Sequence, residues 1–513
     1  MIAWSDRIRW GAVGGVLTII GVRVVTEHAR IPWWDFDPLV AAIPESRITP
    51  AMSMVMDALT VALAAVIVFA ESWRGRRIGL LGWIAVVTGM VGVVLHGFVV
   101  TPYGGAASLH GDTRSLTIGA TWCAAVAGAM ALWVACGDRR VRAAVTGILI
   151  GAVVPVVAVG VVQVFIEHPQ MVRAFDADPA ASLRGAGVDP GSPGAASFER
   201  RMRQAEATGA FGLANVYGTV VAASAAFWVV VGFGAWREKW GRGIAIAALG
   251  VGASAVGLWL CGSKGAAVAG AFGIGIVMMI ALVARQRWGR PWMGWMLGAA
   301  IVAVPFGAVA ARGAVGARID ELSLLFRWHY AQAAARIIGD HPWFGVGPGN
   351  FKSAYLIAKN PLNPEQVESP HSVILDWVSQ LGVFGAAWAV LVVAAAVAIG
   401  AGVYRRSRTR AAHCPWHEDG DRTRAASCPW HQEEGDAPSK PERKEAQPAD
   451  GRLVSIVAPV LAGTVSVWIA RETVSPDRAL AMMVGIAGWV AAAVWVASAD
   501  RVRGWIVMGA AAA

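Results

Sequence analysis

The chain has 513 residues, of which 56% are hydrophobic and only 15% charged. A soluble domain carries about 25% charged residues, so the composition excludes an ordinary soluble globular protein and indicates an integral membrane protein. The formal charge of +10 would suit a nucleic-acid binder, but the basic residues cluster at the ends of apolar runs, which points to membrane topology instead.

Apolar runs of about 18 residues or more, each sufficient to cross a ~30 Å hydrocarbon core as a helix, recur along the whole chain. They lie near 8–26, 52–71, 78–100, 116–136, 143–166, 213–235, 243–261, 265–284, 292–311, 373–403, 453–470 and 478–498. Backbone groups in lipid must be satisfied within their own segment, so these runs are expected to be helices. The fold class is therefore all-α, a polytopic membrane protein of about twelve spans. The apolar tail 504–513 is too short for another.

Arg74, Arg76 and Arg77 follow the second run, and Arg139, Arg140 and Arg142 the fourth. Arg237, Lys239 and Arg242 follow the sixth, and Arg285, Arg287 and Arg290 the eighth. The tenth is followed by Arg405, Arg406, Arg408 and Arg410, and the twelfth by Arg501 and Arg503. By the positive-inside rule these ends are cytoplasmic, and so are both termini. Arg7 and Arg9 precede the first run, as in a signal peptide. That run continues into "VRVVTEHAR" without a small-x-small cleavage site, so an uncleaved first span is expected.

The expected organisation is a membrane domain, 1–403, holding spans one to ten and the outward loops 167–212 and 312–372. A cytoplasmic linker, 404–452, follows, and then a C-terminal pair of spans with its tail, 453–513. Two outward Asp-x-Asp pairs, Asp35/Asp37 and Asp176/Asp178, offer carboxylates of the kind hard cations bind. Each is followed by proline, and with no further acidic or histidine partner at a fixed offset they read as turns. The linker carries a tandem duplication, "RTRAAHCPWHEDGD" at 408–421 and "RTRAASCPWHQEEGD" at 422–436. Its pairs Cys414/His417 and Cys428/His431 form a four-ligand set that zinc would accept. Nearly balanced charge and few aliphatic residues favour a disordered, ampholytic linker. No metal and no cofactor are expected at the site of chemistry.

The loop 312–372 holds the most information. "DELSLLFRWHYAQAAARIIGDHP" predicts an amphipathic helix along the outer face, stopped at His341-Pro342. "WFGVGPGNF" then opens a glycine loop whose amides could face an anion. It is no Walker loop, because the Gly-Lys-Ser/Thr ending is missing and no strand precedes it. His371 stands at the mouth of an apolar run of about 32 residues, which at ~1.5 Å per residue overshoots the bilayer. The first ten or so residues of that run, with the polar Asp376 and Gln380, must lie above the hydrocarbon or line a wet cavity. Glu368 and Asp376 are near enough in sequence to orient an imidazole. Gly382, Gly385 and Ala386 mark a face for close helix packing.

"GDHPWFGVGPGNF", then His371-Ser372 about twenty residues later, then Gly382-x-x-Gly385, resembles the signature region of the O-antigen ligase family. "GAFGLANVYG" at 209–218 is similar to that family's Gly-x-Phe-x-x-x-Asn, and "LCGSKGA" at 260–266 to its Ser-Arg-Gly. The resemblance covers roughly residues 200–400. It implies an architecture like the C-type membrane glycosyltransferases and transfer of a glycan from an undecaprenyl-diphosphate carrier to an acceptor hydroxyl on the periplasmic face of the inner membrane. The acceptor would be lipid A–core or another glycan, with membrane lipids as the only other partner and no nucleic acid.

It further implies that His371 and Arg327 are the functional residues. Lys264, Arg327, Arg203 and the loop residues Gly345, Gly347, Gly349 and Asn350 would face the diphosphate. Two positions depart from the family pattern. Lys264 stands where the family has arginine, keeping charge without the bidentate fork. Glu206 stands where the family often has arginine, with Arg203 one turn earlier.

The chemistry fits such a reaction. A diphosphate leaving group needs cations and N–H donors more than a strong acid, and an attacking hydroxyl needs a base with a pKa near neutrality. A polymerase extending the same lipid-linked glycan would share every one of these features. A solute transporter is the other class, but few charges fall at mid-membrane and the two halves show no repeat.

Overall fold

The computed structural model describes residues 2–27, 47–75, 109–186, 188–285, 322–361, 363, 365–391, 450–470 and 475–498, with scattered residues in 87–94, in 307–315 and at 394. Among these residues the chain is helical, with no β-strand. Eight helical stretches are long and apolar enough to cross a membrane: Ser5–Val25, Ala51–Trp73, Thr117–Ala135, Arg139–Ala177, Ala214–Arg237, Gly241–Leu260, Leu453–Ala470 and Pro476–Ser498. The protein is thus an all-α polytopic membrane protein. The expected spans at 78–100 and 292–311 lie largely outside the described residues, as do Asp35, Asp37 and the Cys-x-x-His repeat. The expected span at 265–284 is present as a helix, Lys264–Arg285.

The chain forms two compact units, one of residues 1–77, 124–293 and 450–513, the other of 78–123 and 294–449. The first unit contains α1 (Ile2–Val25) and α2 (Pro50–Trp73). A third helix, α3 (Leu109–Ala135), runs across the boundary between the two stretches. Next come α4 (Arg139–Gly151) and α5 (Val153–Val162), a π-helical turn at Gln163–Glu167, and α6 (His168–Ala177). These four pieces make one 39-residue helix, about 58 Å long at ~1.5 Å per residue, so the fifth expected span continues well past 166 into the segment 167–212. The short helices α7 (Pro179–Gly185) and α8 (Pro193–Met202) fold back on α6 around Phe175, Leu183 and Met202.

Beyond them lie α9 (Ala214–Arg237), α10 (Gly241–Leu260) and α11 (Lys264–Arg285), packed as neighbours. The last two helices of the chain are α15 (Asp450–Ala470) and α16 (Pro476–Ser498). They return to the N-terminal bundle, α15 against α1 and α16 against α4 and α5. Small residues make this packing close. A Cβ at Gly147 would sit 2.7 Å from the carbonyl oxygen of Ala493, and one at Gly485 would sit 2.6 Å from Cα of Pro155. Trp489 fills the middle, and its indole N–H donates to Ile148 O at 2.7 Å.

Charged side chains inside the first unit are paired. Arg9 is 2% exposed and lies within α1, where it donates to Glu71 and Asp138, each at 3.0 Å, and pairs with Asp6. Truncating one partner of such a pair leaves an uncompensated buried charge, at a cost of about 3–5 kcal/mol. At the opposite end of α1, Arg23 pairs with Asp57 at 2.7 Å and Glu27 with Arg478 at 2.7 Å. The arginine ahead of the first apolar run is therefore a buried structural residue.

The second unit contains α12 (Leu322–Asp340), α13 (Phe351–Ala358) and α14 (Val373–Leu381). They enclose a core of Tyr330, Ala333, Ala334, Ile337, Phe351 and Tyr355. The apolar and aromatic residues of α12 recur every three or four positions, which turns one stripe of the helix onto α13 and α14. His341 and Pro342 end it where the sequence predicts.

Candidate active site

The run from 373 onward is not one helix. It breaks at Gly382, which has φ 58° and ψ −133°, and resumes at Val383. The break resolves the excess length of that run, since α14 stands apart from the segment that follows. A helix end leaves carbonyls without partners, and a new helix start leaves amides without them. Near a membrane both must be satisfied by protein.

The glycine loop satisfies them. Val346 N donates to Ser379 O at 3.0 Å and Gly347 N to Gln380 O at 2.9 Å, capping the C-terminus of α14. In the other direction, Val383 N donates to Pro342 O at 2.9 Å. Gly349 N donates to the side-chain oxygen of Gln380 at 2.6 Å. Gly345 N donates to His341 O and Asn350 N to Gly347 O, both at 3.1 Å.

Only glycine fits at the two crossing points. A Cβ at Gly345 would sit 2.4 Å from the carbonyl carbon of Gln380, and one at Gly382 would sit 2.5 Å from that of Trp343. Both residues also have positive φ, where a side chain is strained. Gly382 is thus the break itself, and Gly385 admits the carbonyl of Trp377, whose oxygen would be 1.9 Å from a Cβ there. The expected small-residue face for a neighbouring helix is instead the place where the chain meets itself. The amides of Gly345, Gly347, Gly349 and Asn350 are taken up within the protein, so an anion at this loop would have to displace those bonds.

His371 immediately precedes Ser372, the N-cap of α14, whose hydroxyl accepts from Leu375 N at 3.5 Å. Its φ is 55°, a left-handed conformation that costs a non-glycine residue roughly 1–2 kcal/mol. Histidine tolerates it better than most side chains. The imidazole packs against the ring of Tyr330 at 5.6 Å between centroids, and Tyr330 donates its hydroxyl to Glu365. Arg327 lies one turn before Tyr330 on α12 and is half-buried.

The His371 ring keeps an exposed edge, yet partial burial lowers its pKa below the ordinary histidine value, and the positive charge of Arg327 lowers it further. Both effects favour the neutral ring, the form a proton acceptor requires. Sequence spacing made Glu368 and Asp376 the candidates for orienting this ring, but both carboxylates are engaged elsewhere. Glu368 faces Lys352 at 3.8 Å. Asp376 accepts from the Ser369 hydroxyl at 2.6 Å and from the Gln380 side-chain amide at 2.8 Å. Burial raises the Asp376 pKa to about 6, although these two hydrogen bonds oppose the rise. Tyr330, Ser369 and Gln380 were not among the expected site residues. Gln380 did carry a signal, as one of two polar residues four apart in an apolar run.

Lys264 and Arg203 belong to the first unit. Gly262, with φ 59°, and Ser263 turn the chain from α10 into α11, and Lys264 is the first residue of α11. Ser263 caps that helix by accepting from Ala266 N at 3.2 Å, and its hydroxyl donates to Asn215 at 2.7 Å. The Gly-x-Phe-x-x-x-Asn and Ser-Lys-Gly segments thus meet at one end of α9 and α11. Gln163, in the π-helical turn, holds the first of them in place, accepting from Gly209 N at 2.8 Å and donating to Gly209 O at 3.1 Å.

Arg203 pairs with Asp176 at 2.8 Å and Glu199 at 3.0 Å, and these carboxylates raise its pKa. Asp178 caps α7, accepting from Ala181 N at 2.8 Å. Both members of that Asp-x-Asp pair therefore have structural partners. Among the described residues no cluster of three or more His, Cys, Asp or Glu could hold a metal ion.

Residues 249–390 match the model of a protein family described as O-antigen ligase. The matched stretch holds Lys264, Arg327, the glycine loop, His371 and the helix break, while Arg203 and the Gly-x-Phe segment precede it. No curated protein and no solved structure matches the chain.

Proposed function

We propose, from the match of residues 249–390 to the O-antigen ligase family model, that the chain transfers a glycan from undecaprenyl diphosphate to an acceptor hydroxyl at the periplasmic face of the inner membrane. The acceptor in this reading is lipid A–core or another glycan. The observation that carries it is the placement of the His371 ring against Tyr330 of α12, 5.6 Å between centroids and one turn from the cation Arg327, with burial and the Arg327 charge both lowering the His371 pKa.

In the transfer, a ring nitrogen of His371 takes the proton of the acceptor hydroxyl as its oxygen bonds to the anomeric carbon. The bond from that carbon to the phosphate oxygen breaks, and its electron pair leaves with the diphosphate. Arg327 stabilises the departing charge, as preorganised cations do at a developing anion. The glycine loop contributes by holding α14, and so His371, in place. Arg203 already faces two carboxylates and is assigned to the peripheral helices.

A positioned general base contributes typically 10²–10⁴-fold, so His371→Ala should reduce transfer by about that factor with little change in substrate binding. The assay is transfer from undecaprenyl-diphosphate glycan by purified protein between about pH 5.5 and 8.5, a range chosen to bracket the histidine pKa. With the pKa lowered, the wild-type rate should hold through neutrality and fall only below the ordinary histidine value of 6.5. Near-normal turnover of His371→Ala with the same profile would remove His371 as the base. Ligation is separated from polymerisation by the carrier-bound glycans of a deletion strain. Full-length chains accumulating on the carrier mean a ligase, and single repeat units mean a polymerase.

A further inference from the structure

Asp376 sits at the centre of a chain of hydrogen bonds that the proposed transfer does not use directly. Its Oδ2 accepts from the Ser369 hydroxyl at 2.6 Å, and the same Ser369 oxygen accepts from the backbone N–H of His371 at 3.1 Å. Its Oδ1 accepts from the Gln380 amide nitrogen at 2.8 Å, and the Gln380 oxygen accepts from Gly349 N at 2.6 Å. A carboxylate only accepts. It therefore forces the Ser369 proton toward itself and leaves the Ser369 lone pairs facing His371 N. By the same logic it draws the Gln380 NH₂ toward itself and turns the Gln380 oxygen to the glycine loop. One charged group thus sets the direction of bonds running both to His371 and to the loop that caps α14.

We propose that Asp376 is a positioning residue for the transfer: acting through Ser369, it holds the His371 backbone in its left-handed conformation and so keeps the imidazole beside Arg327 and Tyr330. This rests on His371 being the proton acceptor. Three features support it. His371 makes its backbone turn at positive φ, where it needs local support. Both Asp376 oxygens are occupied by donors that lead away from the imidazole. The partly buried carboxylate is kept by these bonds despite the desolvation that raises its pKa. Of the charged and titratable groups on the packed elements, Tyr330 meets the ring and Arg327 acts on it by charge, both from α12, while Glu365 accepts from Tyr330, Lys352 of α13 faces Glu368, and Asp376 faces Ser369 and Gln380.

The test uses the full chain, purified and labelled on its ten histidines, with the His371 ring signal identified by its loss in His371→Ala. Ser369→Ala and Asp376→Asn should let the ring drift from Arg327, moving its titration up toward the ordinary histidine value. They should also lower kcat by about 10²-fold, the scale of a small misplacement, while KM stays nearly constant. Ser369→Thr keeps the hydroxyl and should restore both readouts. In a His371→Ala background, Ser369→Ala should cause no further loss, because its effect runs through that ring. An unchanged His371 titration in Ser369→Ala overturns the proposal, and so does an equal further loss in the His371→Ala background. If His371→Ala itself proves active, the base assignment fails, and the ring titration alone then decides whether Ser369 and Asp376 position it. Should Asp376→Asn not fold, Ser369→Ala and Ser369→Thr carry the test.

Discussion

Replacing Gly382 by alanine tests whether the glycine loop and the helix break form one structure. Two penalties arise at that residue. The conformation at φ 58° and ψ −133° costs a residue with a side chain about 1–3 kcal/mol. The new Cβ would also lie 2.5 Å from the carbonyl carbon of Trp343 and 2.6 Å from Pro342 O, both backbone atoms that cannot swing aside. Relieving that clash pulls the loop off the break. The bonds at risk are Val383 N to Pro342 O, Val346 N to Ser379 O and Gly347 N to Gln380 O, each worth about 0.5–1.5 kcal/mol net. A strain near 2 kcal/mol and two such bonds give a local cost of about 4 kcal/mol. Hydrogen exchange of the purified protein measures it directly, because local opening eased by that amount speeds exchange by roughly 10³-fold. The affected amides should be those of 345–347, 349 and 383, with α12 protected as before. Gly339→Ala is the control, since nothing lies within 4 Å of a Cβ there and a helical alanine is favoured by about 0.5–1 kcal/mol. Unchanged exchange at Val346 and Gly347 in Gly382→Ala would refute the splice.

Arg327→Gln should lower turnover by roughly 10–150-fold, the equivalent of a charge-assisted contact of about 1.5–3 kcal/mol, without a matching fall in protein level. The same change removes a positive neighbour of His371, so the acid limb of the rate profile should move to higher pH; a limb that stays in place would separate the two residues. Reporters fused after residues 74, 140, 240 and 288 should score cytoplasmic and those at 190 and 350 periplasmic; a cytoplasmic signal at 350 would put His371 on the wrong face for a flipped donor. Deleting 408–436 should leave transfer intact, and loss of activity at normal membrane levels would assign the Cys-x-x-His pairs a role.

The helices were legible in the sequence because burial in lipid is written locally, as a long apolar run with basic residues at one end. α12 was legible down to its stop at His341-Pro342, since helical periodicity and a proline both act over a few residues. The peculiarity of the 373–403 run was legible as excess length, but its solution was not. A break at Gly382 becomes stable only when a loop some thirty-five residues earlier supplies donors to one helix end and acceptors to the next. The same limit explains Gly345, Gly347 and Gly349. Taken alone, a run of glycines with free amides suits a phosphate, and nothing local distinguishes that use from capping a distant helix.

Side-chain direction was the other feature hidden from the sequence. Asp376 is near enough to His371 along the chain to touch its ring, yet α14 starts between them, at Ser372, and carries the carboxylate toward Ser369 and Gln380. What reaches His371 from Asp376 is therefore a constraint on its backbone. The ring itself meets Tyr330 and the charge of Arg327, both delivered by α12. In that arrangement the acid leaves the imidazole neutral and the arginine helps keep it so, whereas direct contact with a carboxylate would have favoured the imidazolium. For the transfer proposed, in which the ring accepts a proton beside a departing diphosphate, the geometry found serves better than the one sequence proximity suggested.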